Sequence, residues 1–276
     1  MAFSVNVNPS ALSALRNLNV TARALAAVQN RINTGLKIAS AKDNAAIFSI
    51  AQKLRADLRG FSAVKQSLDR SLGVVDVALA AAGTISDLLI EMKEKAVAAA
   101  DKGLDSISRT ALAEDFAALR DQVATIVSNA TFNGTNLIDN GTDAVIAITN
   151  PDATQTITIA HQNLTLGGGN ITITAGQTIA TQTAASTAVT DLVAALTSVN
   201  SVLTKLGVGA KTLEQNRSFA EKLSDVIEVG IGNLVDADLA KESANLQALQ
   251  VKQQLGIQAL AIANQAPQSI LTLFQQ

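Results

Sequence analysis

Chemistry in a protein chain needs reactive groups that converge, and the candidates in this sequence are few. His161 is the only histidine, and no convergent partner for an imidazole base or a metal ligand is visible near it. No His-Glu-x-x-His zinc motif occurs, which sets metalloprotease chemistry aside. His161 therefore reads as an ordinary loop or strand residue. Gly167-Gly168-Gly169 could suggest a phosphate loop, but no Lys-Ser/Thr follows and no helix starts there, so it reads as a flexible turn. Cysteine is absent, which removes disulfides, thiolate metal sites and Cys nucleophiles together. No catalytic residue, metal ligand, cofactor site or small-molecule substrate can be nominated, and an enzyme is the weakest class. Two charged residues do stand out. Arg217 sits on an apolar helical seam, where an ion pair between helices is favoured over a snorkelling side chain. Asp43 either caps a local turn or pairs across subunits, and its type and place do not choose between them.

The elements around these residues are mostly long helices. Hydrophobic residues make up 48% of the 276 but aromatics only 3%, which suits thin helix–helix seams better than a thick globular core. Net charge is −2 with no basic block, so nothing supports nucleic-acid binding. Residues 1–10 lack the basic start and apolar core of a secretory signal, and no run of about 18 uncharged apolar residues argues for membrane insertion.

The strongest pattern lies between Val64 and Ala99. At alternating steps of four and three stand Val64, Leu68, Ser71, Val75, Ala78, Ala82, Ile85, Leu89, Met92, Ala96 and Ala99, with Ser71 alone polar. That is the seven-residue repeat of a helix that keeps one row against a partner. At 1.5 Å per residue it makes a rod of roughly 54 Å, which needs long partners. Pro9-Ser10 predicts the start of a first helix, with Ala14, Leu18, Thr21, Leu25, Val28 and Ile32 in the same rhythm and Gly35 as its close. Ala39 to Gly60 is expected to continue as helix, with Gly60 as a bend. Asp101-Lys102-Gly103 ends the rod, and a helix carrying Leu112, Phe116, Leu119, Val123 and Ile126 should return antiparallel.

Beyond it the period changes. Asn133-Gly134 and Asn140-Gly141 are turn dipeptides; Val145–Ile148, Thr156–Ile159 and Ile171–Thr174 read as short strands. Helix returns at Ala184, with Val189, Leu192, Leu196, Val199, Leu203, Leu206, Ala210 and Leu213 in register and Gly207 and Gly209 as possible bends. Leu255 to Ala263 is apolar on nearly every face, and a helix of that kind must be buried. Only the first helix is free to cover it in one chain, so neighbouring copies should supply the rest. Chain ends are ordinarily frayed and polar. Here they read as association surfaces.

Several ordered motifs at both ends now resemble one family. INTGLKIASAKDNAAIFSIA (residues 32–51) is similar to the N-terminal signature of bacterial flagellins. KEKAVAAAD (93–101), FNGTNLI (132–138), QNR (215–217), VDADLAKE (235–242) and ANQAPQSILTL (263–273) resemble further family segments. Matching signature positions are Gly35, Asp43, Asn133, Gly134, Asn216, Arg217, Asp236, Asp238, Asn264 and Gln265. The resemblance covers about 1–138 and 186–276.

The resemblance implies a structural subunit that polymerises into the flagellar filament, leaves the cell unfolded through the flagellar type III apparatus, and lies outside it. The implied fold is mainly α: an elongated antiparallel helical coiled-coil bundle with paired terminal helices and a small β-rich module in mid-chain. The expected divisions are 1–40, N-terminal helix of the filament core; 41–139, N-terminal part of the rod; 140–183, the β-rich module; 184–234, C-terminal rod helix; and 235–276, C-terminal helix of the core. The filament-core interface is then Leu18, Leu25, Ile32, Leu246, Leu249, Leu255, Ile257, Leu260, Ile262 and Leu271. The rod seam is Val64, Leu68, Val75, Ile85, Leu89, Leu196, Leu203 and Leu213. Implied partners are further copies of the chain, other flagellins, an export chaperone, and the junction and cap proteins. Ser and Thr within 142–190 either carry O-linked glycans or form solvated turn surface. The alternative reading is a hook–filament junction protein, which shares the terminal motifs; the ANQAPQSIL ending favours the filament.

Overall fold

The computed structural model describes the backbone of residues 7–273 and the side chains of residues 7–265. Five helices, α1 (Pro9–Thr34), α2 (Ala45–Ala99), α3 (Ser106–Asn129), α4 (Gln182–Val235) and α5 (Leu239–Leu273), carry most of the chain. Between α3 and α4 lie four short strands, β1 (Thr131–Phe132), β2 (Thr135–Asn136), β3 (Val145–Ile148) and β4 (Thr156–Ile159). Contacts divide the chain into two units, Asp57–Asp225 and the remainder on either side, with the divisions inside α2 and α4.

In the terminal unit, α1 and α5 pack together. Asn8 caps α1 by accepting the Ala11 N–H at 3.1 Å, and Pro9 occupies the first turn, where its missing N–H costs nothing. Gly35 closes the helix at φ 71°, the left-handed conformation that favours glycine. The chain does not then run on as helix. Residues 36–44 form a turn around Asp43, whose Oδ2 accepts the Ala39 N–H, the Ser40 N–H and the Ser40 hydroxyl. Asn44 caps the next helix through the Ile47 N–H. This corrects the expectation of helix from Ala39. Asp and Asn side chains that bond their own backbone compete with helical hydrogen bonds.

In the other unit the two rod helices supply the core. All eleven heptad positions from Val64 to Ala99 are buried. On α4 the expected positions Leu192, Val199, Leu206, Ala210 and Leu213 are buried, but Ala185, Ala188, Ala195 and Val202 share that row in place of Val189, Leu196 and Leu203, which are half-buried beside it. Small alanines sit deepest because they let helices approach, and the leucines flank them. Asp105 caps α3 with the Ile107 and Ser108 N–H groups, and the Arg109 guanidinium donates to the Ala99, Asp101 and Leu104 carbonyls, a cation at the exposed carbonyl end of α2. Lys95 of α2 reaches Asp115 of α3 at 2.9 Å, as antiparallel neighbours would.

Asn133 (φ 51°) and Gly134 (φ 81°) make the two-residue turn of the β1–β2 hairpin, in which Phe132 pairs with Thr135. Asn136 is buried there, its amide donating to the Val127 carbonyl and its oxygen accepting the Ile138 N–H. β3 and β4 pair antiparallel, Val145 opposite Ile159. Ile171–Thr174 keeps its alternation, with Ile171 and Ile173 buried and the threonines exposed, but forms only an isolated bridge to Leu166. It lacks a neighbouring strand, so the expected strand does not form.

Two helical glycines are seats for this module rather than bends. A Cβ on Gly60 would lie 2.5 Å from the Pro151 Cβ, and one on Gly209 would lie 2.8 Å from the Ile159 Cδ1. Helix runs through both. Gly60→Ala should therefore lower thermal stability, although Ala in an open helix interior gains about 0.5–1 kcal/mol over Gly. Gly83 on the same helix has nothing within 4 Å of a built Cβ, and Gly83→Ala should show that gain. Paired calorimetric melts of the two variants check this.

Both α2 and α4 contain a stretch long and apolar enough by composition to cross a membrane. In each, a heptad row of the helix is buried against the rest of the protein.

Candidate assembly interface

The chemistry of the termini is apolar contact, and α1 supplies one half of it. Its half-buried residues include Ala14, Leu18, Thr21, Leu25 and Ile32, with Val28 fully buried, the four–three row read from the sequence. The pairing with α5 is antiparallel. Asn8 donates to the Ala263 carbonyl at 2.7 Å, Leu18 lies against Gly256, and Arg31 Nη1 lies 3.3 Å from Glu242 Oε1.

α5 has more apolar surface than α1 covers. Leu246, Leu249 and Leu260 are half-buried, while Leu255, Ile257 and Ile262 are 57%, 55% and 69% exposed, and Val251 is exposed beside them. On α1, Leu12, Leu15 and Val20 are exposed as well. A helix apolar all round with one partner leaves its remaining faces in water, a costly arrangement for a solitary chain. Leu271 lies outside the described side chains.

The signature residues serve the turns that feed these helices. Lys37 and Ile38 donate their N–H groups to the Val235 carbonyl and Ala237 donates to the Gly35 carbonyl, with Leu36 bridged to Asp236. Two short connections, 35–44 and 236–238, are thereby tied across each other. Asp238 caps α5 through the Ala240 and Lys241 N–H groups. Asn264 and Gln265 are exposed on α5. Elsewhere, Asn216 donates to the Thr212 carbonyl one turn back. Arg217 is 45% exposed, pairing with Asp69 of α2 and more loosely with Glu221. It is a structural pair, as favoured, but at the surface, where such pairs contribute about 0–1 kcal/mol.

Asp43 has an electrostatic signature. The Ser40 N–H, then the Ser40 hydroxyl and the Ala39 N–H, hold its carboxyl below the ordinary value of 3.8. A carboxyl lowered by folding stabilises the turn above its unfolded pKa, and that contribution is lost as pH falls through the folded value. Acidification below 3.8 should therefore lower the protection of the Ala39 and Ser40 amides relative to their intrinsic exchange rates at each pH. Asp43→Asn should remove that pH dependence.

His161 Nε2 lies 3.2 Å from Asp139 Oδ1, whose oxygen also accepts the Gly141 N–H. Among the described residues no group of three His, Cys, Asp or Glu side chains is placed to hold a metal ion. Sequence reasoning passed over Arg31 and Arg109, and it quoted Glu242 and Asn136 only within the VDADLAKE and FNGTNLI segments, without a role. Their types are ordinary for exposed helix and turn positions, and only contact in space singles them out.

Comparison with known proteins places these features in context. The family models described as the bacterial flagellin N-terminal and C-terminal helical regions match residues 5–143 and 187–274. Flagellin FljM of Caulobacter vibrioides is 49% identical over 272 residues, covering 99% of this chain and 98% of that protein. Flagellin FljJ of the same organism is 46% identical over 280 residues, covering 100% and 99%. The crystal structure of Bacillus cereus flagellin aligns with a TM-score of 0.50 at 19% identity, over 56% of this chain and 88% of that one. That last likeness concerns the fold.

Proposed function

We infer from its membership of the bacterial flagellin family that this chain is a structural subunit of the extracellular flagellar filament, working by assembly. The observation that carries this beyond family membership is the exposed apolar surface of Leu255, Ile257 and Ile262 on the helix that packs against α1. Copies stacking on these faces would bury what one chain leaves in water. Contacts repeated head to tail along a helix propagate as an open filament, which can transmit torque as a propeller.

In this reading residues 1–40 and 235–276 form the filament core, 41–139 and 184–234 the surrounding rod, and 140–183 a short outward module. The interface residues named on α1 and α5 contact neighbouring copies, and the module adds little bulk, giving a slim filament. Ordering entropy keeps the terminal helices loosely paired in the free subunit until neighbours bury them. Export proceeds unfolded through the flagellar type III apparatus, with a chaperone on the C-terminal helix and junction and cap proteins at the filament ends. Related flagellins can share the filament. The junction reading is disfavoured, because near-full-length identity of 49% and 46% is to flagellins.

Seeded sedimentation tests the proposal. Purified chain incubated with sheared filament seeds should move to the pellet as helical filaments. A chain that stays in the supernatant under salting-out conditions overturns it.

A further inference from the structure

Coiled-coil seams built from alanine and leucine choose their alignment poorly. Sliding one helix by a heptad replaces apolar contacts with similar ones. The α1–α5 pair has that problem: Ala14, Leu18, Leu25, Val28 and Ile32 meet a helix whose Leu246, Leu249 and Leu260 are nearly interchangeable. One group in the pair is not interchangeable. Glu242, in the first turn of α5, is only 8% exposed, and its Oε1 lies 3.3 Å from Arg31 Nη1 in the last turn of α1. Its Oε2 is buried with no hydrogen-bond partner among the described residues, and among those residues Arg31 is the cation that pairs with the carboxylate.

We propose that the Arg31–Glu242 contact is the register lock of the terminal helix pair, making Glu242 a positioning residue for assembly. Slipping α1 by one heptad in one direction brings Ala24 to Arg31's place and leaves the carboxylate buried without a cation. Arg23 stands next to Ala24 but is exposed, about 100° further round the helix. Slipping the other way runs past the Gly35 close of α1 into the turn. The pair is half-buried, with the Arg31 side chain 40% and the Glu242 side chain 11% exposed; losing the cation leaves the more buried carboxylate uncompensated, so the pair selects alignment better than it adds stability. Glu242 excludes wrong registers.

The absence of cysteine makes the test clean. An ideal Cβ on Gly256 lies 3.9 Å from the Leu18 Cβ, inside the usual range for a disulfide of about 3.5–4.5 Å. Leu18→Cys with Gly256→Cys therefore reports the native register. Ala11→Cys with Gly256→Cys reports the one-heptad slip that brings Ala24 to Arg31's place, since a heptad displaces the sites by about 10 Å. Crosslinking is read on seeded filaments and on the soluble full chain. In filaments of the otherwise unaltered chain the 18/256 pair should oxidise nearly completely and the 11/256 pair hardly at all. Glu242→Leu should cut the 18/256 yield several-fold and raise the 11/256 yield correspondingly. The exchange Arg31→Glu with Glu242→Arg should restore the native preference. Unchanged selectivity in Glu242→Leu overturns the proposal. So does loss of both crosslinks, which would make Glu242 a plain stabiliser. The inference rests on the α1–α5 pairing, so native crosslinks in a chain that never pellets would count against the filament reading alone.

Discussion

A chain ending at Gln254 should remain in the supernatant when seeds are added, under conditions in which the full chain pellets completely. The truncation removes Leu255, Ile257, Leu260 and Ile262, the most apolar stretch of α5, and strips Leu18 of its contact at Gly256. Burying a large aliphatic side chain contributes about 1.5–3 kcal/mol. The three residues, each more than half exposed, therefore offer each subunit about 3–5 kcal/mol before ordering costs are subtracted. Losing that term shifts the critical concentration by several orders of magnitude. A full-length variant carrying Leu255→Ser, Ile257→Ser and Ile262→Ser separates loss of the apolar face from loss of chain length, and it too should stay soluble. Normal filaments from either variant would move the polymer contacts elsewhere in the chain.

The second large effect belongs to the rod. Leu89→Ala should destabilise residues 57–225 by about 2–5 kcal/mol, because it leaves a cavity that helices braced along a heptad row cannot close. Leu89 is 0% exposed, whereas its neighbour Ile90 is 55% exposed. Ile90→Ala should change stability by no more than about 0.5 kcal/mol. Denaturant titration followed by far-ultraviolet dichroism reads both. Leu89→Ala should still join seeds in the cold, since the α1–α5 faces are untouched, and its filaments should melt at lower temperature. Equal effects from the two substitutions would mean that the heptad row is not the core.

What was legible in the sequence is what local chemistry dictates. A seven-residue repeat from Val64 to Ala99 admits one buried row, and every member is buried. Asn133-Gly134 can adopt two successive positive φ values, so the hairpin follows. Short runs rich in β-branched residues between turn residues marked β3 and β4 to the residue. Gly35 could stop α1 because it carries no Cβ to oppose the left-handed turn. The apolar excess at the C-terminus was visible as composition, and it points outward because one partner helix covers one face.

Other features depend on what arrives from elsewhere in the chain. Periodicity on α4 allowed a row through Leu196 and Leu203, and close helix approach chose Ala195 and Val202 instead. Gly60 and Gly209 carry no local sign of the Pro151 and Ile159 side chains that need their space. Ile171–Thr174 has strand chemistry without a strand beside it, since a ladder requires two edges. Arg31 and Glu242 are unremarked charges until two distant helices meet. Periodicity and turn chemistry act within a few residues and can be read along the chain; burial and pairing act between segments and exist only once the chain has folded.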